Sequence, residues 1–270
     1  MSFASDPRWL QLGSLCALLV YGITVLAFPI GPAQAAWTFG AAIGCQYLAG
    51  RLAGLPRFDP LSALISALSL CLLLRTDLPL LAGAAAAVAI ASKFLLRVDG
   101  GHLFNPTAFA IVTLTLLSDR AWISFGQWGP VALWGLGLAG LGLMVVTRAR
   151  RADVTLAFLG AYAVILFGRA AWLGDPPSIP LHQLKNGALL LFAFFMISDP
   201  RTTPRSAGGR ILFGAVVAVV AAVIEFGLHR GGGAIMSLVL CAPLVPLFNR
   251  GFAGAAPRSP RGQPSLPLTA

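Results

Sequence analysis

Gly187–Gly209 reads GALLLFAFFMISDPRTTPRSAGG. Its first part, from Gly187 to Ser198, is apolar throughout and then stops at Asp199-Pro200. A helix rises about 1.5 Å per residue, so crossing a bilayer takes roughly 20 apolar residues, and this run is too short. Proline removes a backbone donor and drives the preceding residue out of the helical region. A helix that ends inside hydrocarbon must pass its free N–H and C=O groups to protein or to a polar cavity. The stretch therefore reads as an interrupted membrane helix, with Arg201, Thr202 and Thr203 placed to serve as replacement partners or to hold an anionic or polar ligand. A plain helix stop followed by a loop with arginine anchors is the competing reading.

Working outward, the 270-residue chain is 57% hydrophobic and 10% charged, against roughly 25% charged in an ordinary soluble domain. Ten apolar runs can be marked. The first five are Trp9–Phe28, Ala35–Leu52, Leu61–Leu74, Leu78–Leu96 and Phe104–Leu117. The second five are Pro130–Val146, Val154–Trp172, Gly187–Ser198, Ile211–Leu228 and Ala234–Phe248. The expected fold is an all-α polytopic membrane protein of about ten transmembrane helices. An A-x-A site at Ala33-Gln34-Ala35 resembles signal-peptide cleavage, but the run before it has span length, longer than a usual signal core.

The formal charge of +10 does not gather into a nucleic-acid-binding patch, because the basic residues fall between apolar runs. Of the 19 Lys and Arg, only Arg75, Arg120, Arg169, Lys185 and Arg230 lie on the side opposite the termini. Positive residues favour cytoplasmic loops, so both termini are expected in the cytoplasm. Cys16, Cys45, Cys71 and Cys241 sit singly in apolar stretches and read as buried free thiols. No HExxH, Walker loop, GxSxG or CxxCH is present, so neither a soluble-enzyme centre nor a metal site is signalled.

The third run, LSALISALSLCLLL, is short like the eighth, and it leads into Arg75-Thr76-Asp77-Leu78-Pro79. Gly100-Gly101 opens the fifth run as Gly231-Gly232-Gly233 opens the tenth. These matches predict two inverted five-helix repeats, 1–128 and 129–250, with a disordered cytoplasmic tail at 251–270. Interrupted helices at equivalent places point to a ligand site near the bilayer midplane, where the third and eighth helices, the stretches ending at Leu74 and Ser198, are expected to meet and line a polar chamber. Asn105-Pro106-Thr107 opens the fifth helix, either as a plain Asn cap with Pro at the first position or as an anion-facing helix start, with Lys93 nearby. Glu225 is a lone carboxylate within the ninth run. Together with Asp199 it is a candidate for an ion pathway, or for a local ion pair with His229 or Arg230.

Three blocks, ALSLCLLLRTDLPLLAGAAAAVAIASKFLL, HLFNPTAFAIV and GALLLFAFFMISDPRTTPRSAGGRILFG, resemble the RnfD/NqrB family in wording and order. That family comprises ten-span membrane subunits of the Rnf ferredoxin:NAD oxidoreductase and of the sodium-pumping NADH:quinone oxidoreductase. The resemblance covers roughly Leu61 to Asn249. It implies a subunit of a membrane oxidoreductase in a bacterial inner membrane, partnered by other electron transport subunits and coupled to cation movement, not a self-contained catalyst. The family attaches FMN to a threonine in an S-G-A-T type motif, whereas the corresponding stretch here, Gly174-Asp175-Pro176-Pro177-Ser178-Ile179-Pro180-Leu181, has none. A flavin, FMN or riboflavin, is therefore expected to bind non-covalently. Lys93, Asn105, Thr107, Arg201, Thr202 and Thr203 are its candidate contacts. A small-solute transporter, carrying a flavin or flavin precursor, and a membrane scaffold are the alternatives.

Overall fold

The computed structural model describes residues 7–98, 100–124 and 150–252. The expected sixth span, the boundary between the repeats and nearly all of the tail lie outside the described residues. The helices are α1 Pro7–Thr24, α2 Pro32–Leu52, α3 Pro60–Leu73, α4 Pro79–Leu95, α5 Pro106–Leu117, α6 Ala152–Leu173 and α7 Ser178–Leu184. There follow α8 Gly187–Leu191, which continues as a π-helical segment Phe192–Met196, and α9 Ala207–Ala222, which does the same over Val223–Gly227. α10 Gly233–Cys241 runs through the 3-10 turn Ala242–Leu244 into α11 Val245–Gly251. Helices α2 to α5 each begin on a proline, whose missing N–H costs nothing in the first turn and whose ring sets φ for the helix.

Each expected apolar run that falls in the described residues is helical. Among the described residues, three helices are long and apolar enough to cross a membrane: Ala152–Leu173, Ala207–Gly227 and Gly233–Gly251. α3 spans 14 residues and the eighth run is short as expected, but α5, at 12 residues, is shorter than α3. Shortness is thus not confined to the third and eighth helices. α7, in the loop after α6, was not expected; Pro176 and Pro177 lead into it and turn the chain before α8. Among the cysteines, Cys71 and Cys241 are buried, but Cys16 is exposed and Cys45 half-buried.

The expectation of an all-α chain needs one correction. β1 (Leu74–Thr76) pairs antiparallel with β4 (Ala121–Ile123), and β2 (Arg97–Val98) pairs with β3 (Gly101–His102). Both ribbons adjoin helix ends, and the reason is backbone hydrogen bonding. α3 stops at Leu73, and the β1–β4 pairing takes up the groups that the missing turn leaves free. Ser124 N–H donates to the Leu73 carbonyl at 3.0 Å. The Arg75 guanidinium, 1% exposed, donates to the carbonyls of Cys71 at 2.6 Å and Leu74 at 2.9 Å and lies 4.7 Å from the centre of the Phe28 ring.

The end of α8 is closed differently, by side chains from two other helices and from its own following residues. Thr155 of α6 donates to the Ala193 carbonyl at 2.7 Å, and Ser198 to that of Phe194 at 2.5 Å. Asn105 does two things at once. Its Oδ1 accepts from Ala108 N–H at 3.0 Å, capping α5, and its Nδ2 donates to the Met196 carbonyl at 3.3 Å. One amide thereby joins the start of the fifth helix to the stop of the eighth.

The most extensive helix pairings are α2 with α4 and α6 with α9. Gly214 sets the second: a Cβ there would stand 2.7 Å from the Val154 carbonyl oxygen and 3.0 Å from the Phe158 nitrogen. Small residues permit such approach in lipid, where dispersion and not water exclusion drives helices together.

Two stability outcomes follow. Asn105→Ala removes a cap, costing about 1 kcal/mol, and strands a buried carbonyl, costing about 1 to 3 kcal/mol more. Asn105→Ser keeps a capping oxygen and loses only the second part, so thermal unfolding in detergent should rank wild type above Ser above Ala. Gly214→Leu forces α6 and α9 apart against backbone atoms. Its destabilisation should reach or exceed the overpacking range of about 1 to 3 kcal/mol, and an unchanged melting temperature would refute the crossing described.

Candidate functional site

Two adjoining chambers lie where α3 and α5 begin and where the eighth helix stops. The inner one has a volume of about 210 Å³ and is bordered by Ser66, Ser69, Asn105, Thr107, Phe195 and Ser198. The outer one, about 580 Å³, is bordered by Gln46, Asp59, the β2–β3 hairpin, the loop Pro200–Arg205 and the start of α11. Ser62, Lys93, His102, Pro200 and Arg201 form walls of both. The third and eighth helices both line the inner chamber, α3 through Ser62, Ser66 and Ser69 and the eighth through Phe195 and Ser198. Leu74 borders neither chamber, and it is the start of α3 that faces the stop of the eighth helix.

Lys93 projects from the last turn of α4 and donates to both the carbonyl and the hydroxyl of Ser62, each at 3.0 Å. That pins the wall between the chambers to the first turn of α3. Asn105 and Thr107 are buried at the inner chamber, so the first turn of α5 and its dipole end are directed there. Asp199 organises the opposite wall. Its Oδ1 accepts from Arg201 N–H at 3.0 Å, and its carbonyl accepts from Thr202 N–H at 3.2 Å and from the Thr203 hydroxyl at 3.0 Å. The two threonines are buried and serve first to build this turn. His102 Nε2 stands 3.5 Å from Asp199 Oδ2, an ion-pair distance. Burial alone would raise the Asp199 carboxyl, but His102 beside it, the Arg201 N–H and the Arg201 charge together hold it below the usual carboxylate range.

The six candidate ligand contacts are therefore brought together, along with Asp199. Glu225 is elsewhere. It accepts from the Tyr162 hydroxyl and lies against the first N–H groups of α10, those of Gly233 and Ala234. A Cβ on Gly233 would come within 2.6 Å of the Glu225 Cγ. The carboxylate closes the start of α10. Among the described residues no ion pair joins it to His229 or Arg230, and it borders neither chamber. The two candidate ion-pathway carboxylates thus do not share a site.

Sequence reasoning passed over Gln46, Asp59, Ser62 and Arg205, all of which border the outer chamber. Gln46 left a readable signal, as an amide standing alone in an apolar run. Asp59 pairs with Arg8 at 2.5 Å, a contact between distant segments that no local pattern announces. His102 opens the block HLFNPTAFAIV ahead of α5 but was not singled out. Its place follows from Gly100, whose φ of +81° makes the tight β2–β3 turn.

Comparison with known proteins bears on what this arrangement is. A family model described as "NQR2, RnfD, RnfE family" matches residues 121–256. The chain is 35% identical over 171 residues to the D-type subunit of the ion-translocating oxidoreductase complex of Shewanella amazonensis, covering 58% of this chain and 49% of that protein. It is 40% identical over 154 residues to the protein of the same name from Tolumonas auensis, covering 56% and 40%. Against that of Escherichia coli O1:K1 / APEC it is 30% identical over 162 residues, covering 58% and 43%. The chain thus spans about half or less of the length of these relatives. Three bilayer-length apolar helices together with these relatives mark it as a membrane protein. With half of its length under one family model, the interrupted eighth helix and its Asp199-Pro200 stop included, the chain belongs to the NQR2, RnfD, RnfE family.

Proposed function

We propose that the protein is an RnfD-like integral membrane subunit of a flavin-dependent electron transport complex coupled to cation movement, and that the paired chambers hold a flavin non-covalently. The observation that carries this reading is the convergence of Lys93, Asn105, Thr107, Arg201, Thr202 and Thr203 on one two-chambered cavity in a chain of this family. The outer chamber falls within the roughly 300 to 1,000 Å³ common for cofactor pockets. Its lining is largely polar, with apolar patches at Phe94, Leu103 and Val245 against which a ring could lie while its polar groups face the rest. A bound flavin would supply the electron-carrying chemistry. The protein's own groups would hold it, exclude water at the inner end and keep the helix stops closed around it.

The ten-span plan of two inverted repeats is part of the same proposal. Its support is that the second and fourth runs (α2 with α4) and the seventh and ninth (α6 with α9) form corresponding pairs. Gly100 and Gly232, ahead of the fifth and tenth helices, likewise both take a positive φ. Repeats 1–128 and 129–250 would then face each other across the chambers. The arginine-rich rim at Arg97, Arg201 and Arg205 would face the cytoplasm with both termini, in a bacterial inner membrane, and other complex subunits would complete the electron path. Neither a solute transporter nor a scaffold is favoured by any observation beyond the broken helices, which the electron transport reading already uses.

Two measurements test this. Protein purified with flavin supplied during expression should show visible flavin absorbance that leaves with the small-molecule fraction on denaturation, because no threonine stands in Gly174–Leu181. Colourless protein, even when expressed with its complex partners, would remove the flavin assignment, and colour that stays on the denatured chain would refute non-covalent binding. For orientation, a fluorescent-protein fusion at the C-terminus should glow while an alkaline phosphatase fusion there stays inactive. An active phosphatase would invert the proposed topology.

A further inference from the structure

The wall between the two chambers holds three ionisable side chains, Lys93, His102 and Arg201, and Asp199 stands against it from the inner side. Their hydrogen bonds sort them. Lys93 donates to the Ser62 carbonyl and hydroxyl, and Asp199 Oδ1 accepts from the Arg201 N–H. His102 is different. Its side chain is only 9% exposed, and its Nε2 is buried with no hydrogen-bond partner among the described residues. Asp199 Oδ2 stands 3.5 Å away, long for a hydrogen bond but close enough for an ion pair. Buried polar atoms are nearly always paired, so one left open in such a wall marks a place where something binds or a proton comes and goes.

The charges around this imidazole oppose one another. Asp199 favours its protonated form, whereas Lys93 and Arg201 in the same wall, and Arg97 opposite it in the β2–β3 hairpin, disfavour that form. Asp59, further round the outer chamber, is met by Arg8. A unit of negative charge arriving in either chamber tips this balance toward the protonated ring.

We propose that His102, steadied by Asp199, takes up one proton when an electron reaches the ligand of these chambers and releases it when the electron leaves. The assignment rests on the flavin reading above and adds to it the residue that links electron to proton. One electron enters from a one-electron donor. One proton passes from water at the exposed rim, beside Arg97 and Arg205, to the imidazole, whose added N–H then meets Asp199; on reoxidation both leave. Imidazole suits the task because its charge ordinarily changes between about pH 5 and 8. His102 borders both chambers, so a ligand in either lies within its reach.

The test uses the full chain in phosphatidylcholine nanodiscs loaded with FMN, with the midpoint potential of the bound flavin read spectroscopically during stepwise reduction by dithionite. Over part of the range from about pH 5 to 8, the potential of the wild type should fall with pH more steeply than that of H102Q, by about one proton per electron. D199N keeps an acceptor for the Arg201 N–H but removes the charge, so it should move that steeper stretch to lower pH. A second readout needs no flavin. The chain has three histidines, so H102Q identifies the His102 ring signal in the NMR spectrum, and this signal should titrate at lower pH in D199N than in the wild type. Identical pH dependence of the potential in wild type and H102Q, with flavin bound to both, overturns the proton assignment and leaves the flavin reading standing. If H102Q holds no flavin, the D199N potentials decide, and an unmoved stretch overturns the assignment. A His102 signal indifferent to D199N overturns the pairing on which it depends. If the wild type binds no flavin, both readings fall.

Discussion

A backbone that stops being helical within a bilayer must still satisfy every N–H and C=O, and that constraint governs this structure. Water is not at hand to take up the ends, so each break needs its own local answer. At the end of α3 the answer is a backbone ribbon and a buried guanidinium; at the end of the eighth helix it is hydroxyls and one amide from α5 and α6. Each solution places polar groups in the interior. At the eighth helix those groups also border the polar chamber, so there closing the break and building the site are one task.

The two π-helical segments fit the same logic. Over Phe192–Met196 the wider turn leaves individual carbonyls to side-chain donors, Thr155 and Asn105 from other helices and Ser198 from just beyond the turn. Over Val223–Gly227 the widened turn carries Glu225 toward the start of α10, where the first N–H groups need an acceptor. In both places a departure from regular helix is matched to a specific partner on another element.

The helices were legible in the sequence because apolar run length and proline position act locally, and nearly every boundary followed from them. The convergence of Lys93, Asn105, Thr107, Arg201, Thr202 and Thr203 was legible for the same reason, since each sits at a helix end that the breaks expose. What escaped was pairing. The β1–β4 ribbon links residues far apart in the chain. Which ends of α3 and the eighth helix face each other depends on their orientation, and the tie between Glu225 and Tyr162 depends on how α6 lies along α9. Local patterns carry hydrogen-bonding demand, but not the address at which it is met. Gln46 shows the limit clearly: its isolation could be read, but not the chamber it borders.

The amide of Asn105 meets a carbonyl 91 residues further along the chain, and this bears on how the protein is made. Synthesis proceeds from the N-terminus, so the short α5 leaves the ribosome long before its counterpart exists. Through that interval the early half must wait in the insertion machinery or at its lipid edge with an incomplete hydrogen-bond complement. Final seating of the first half is thereby tied to the arrival of the second, and a chain truncated before Met196 should be recognised by membrane quality control as unfinished, however many apolar helices it already contains.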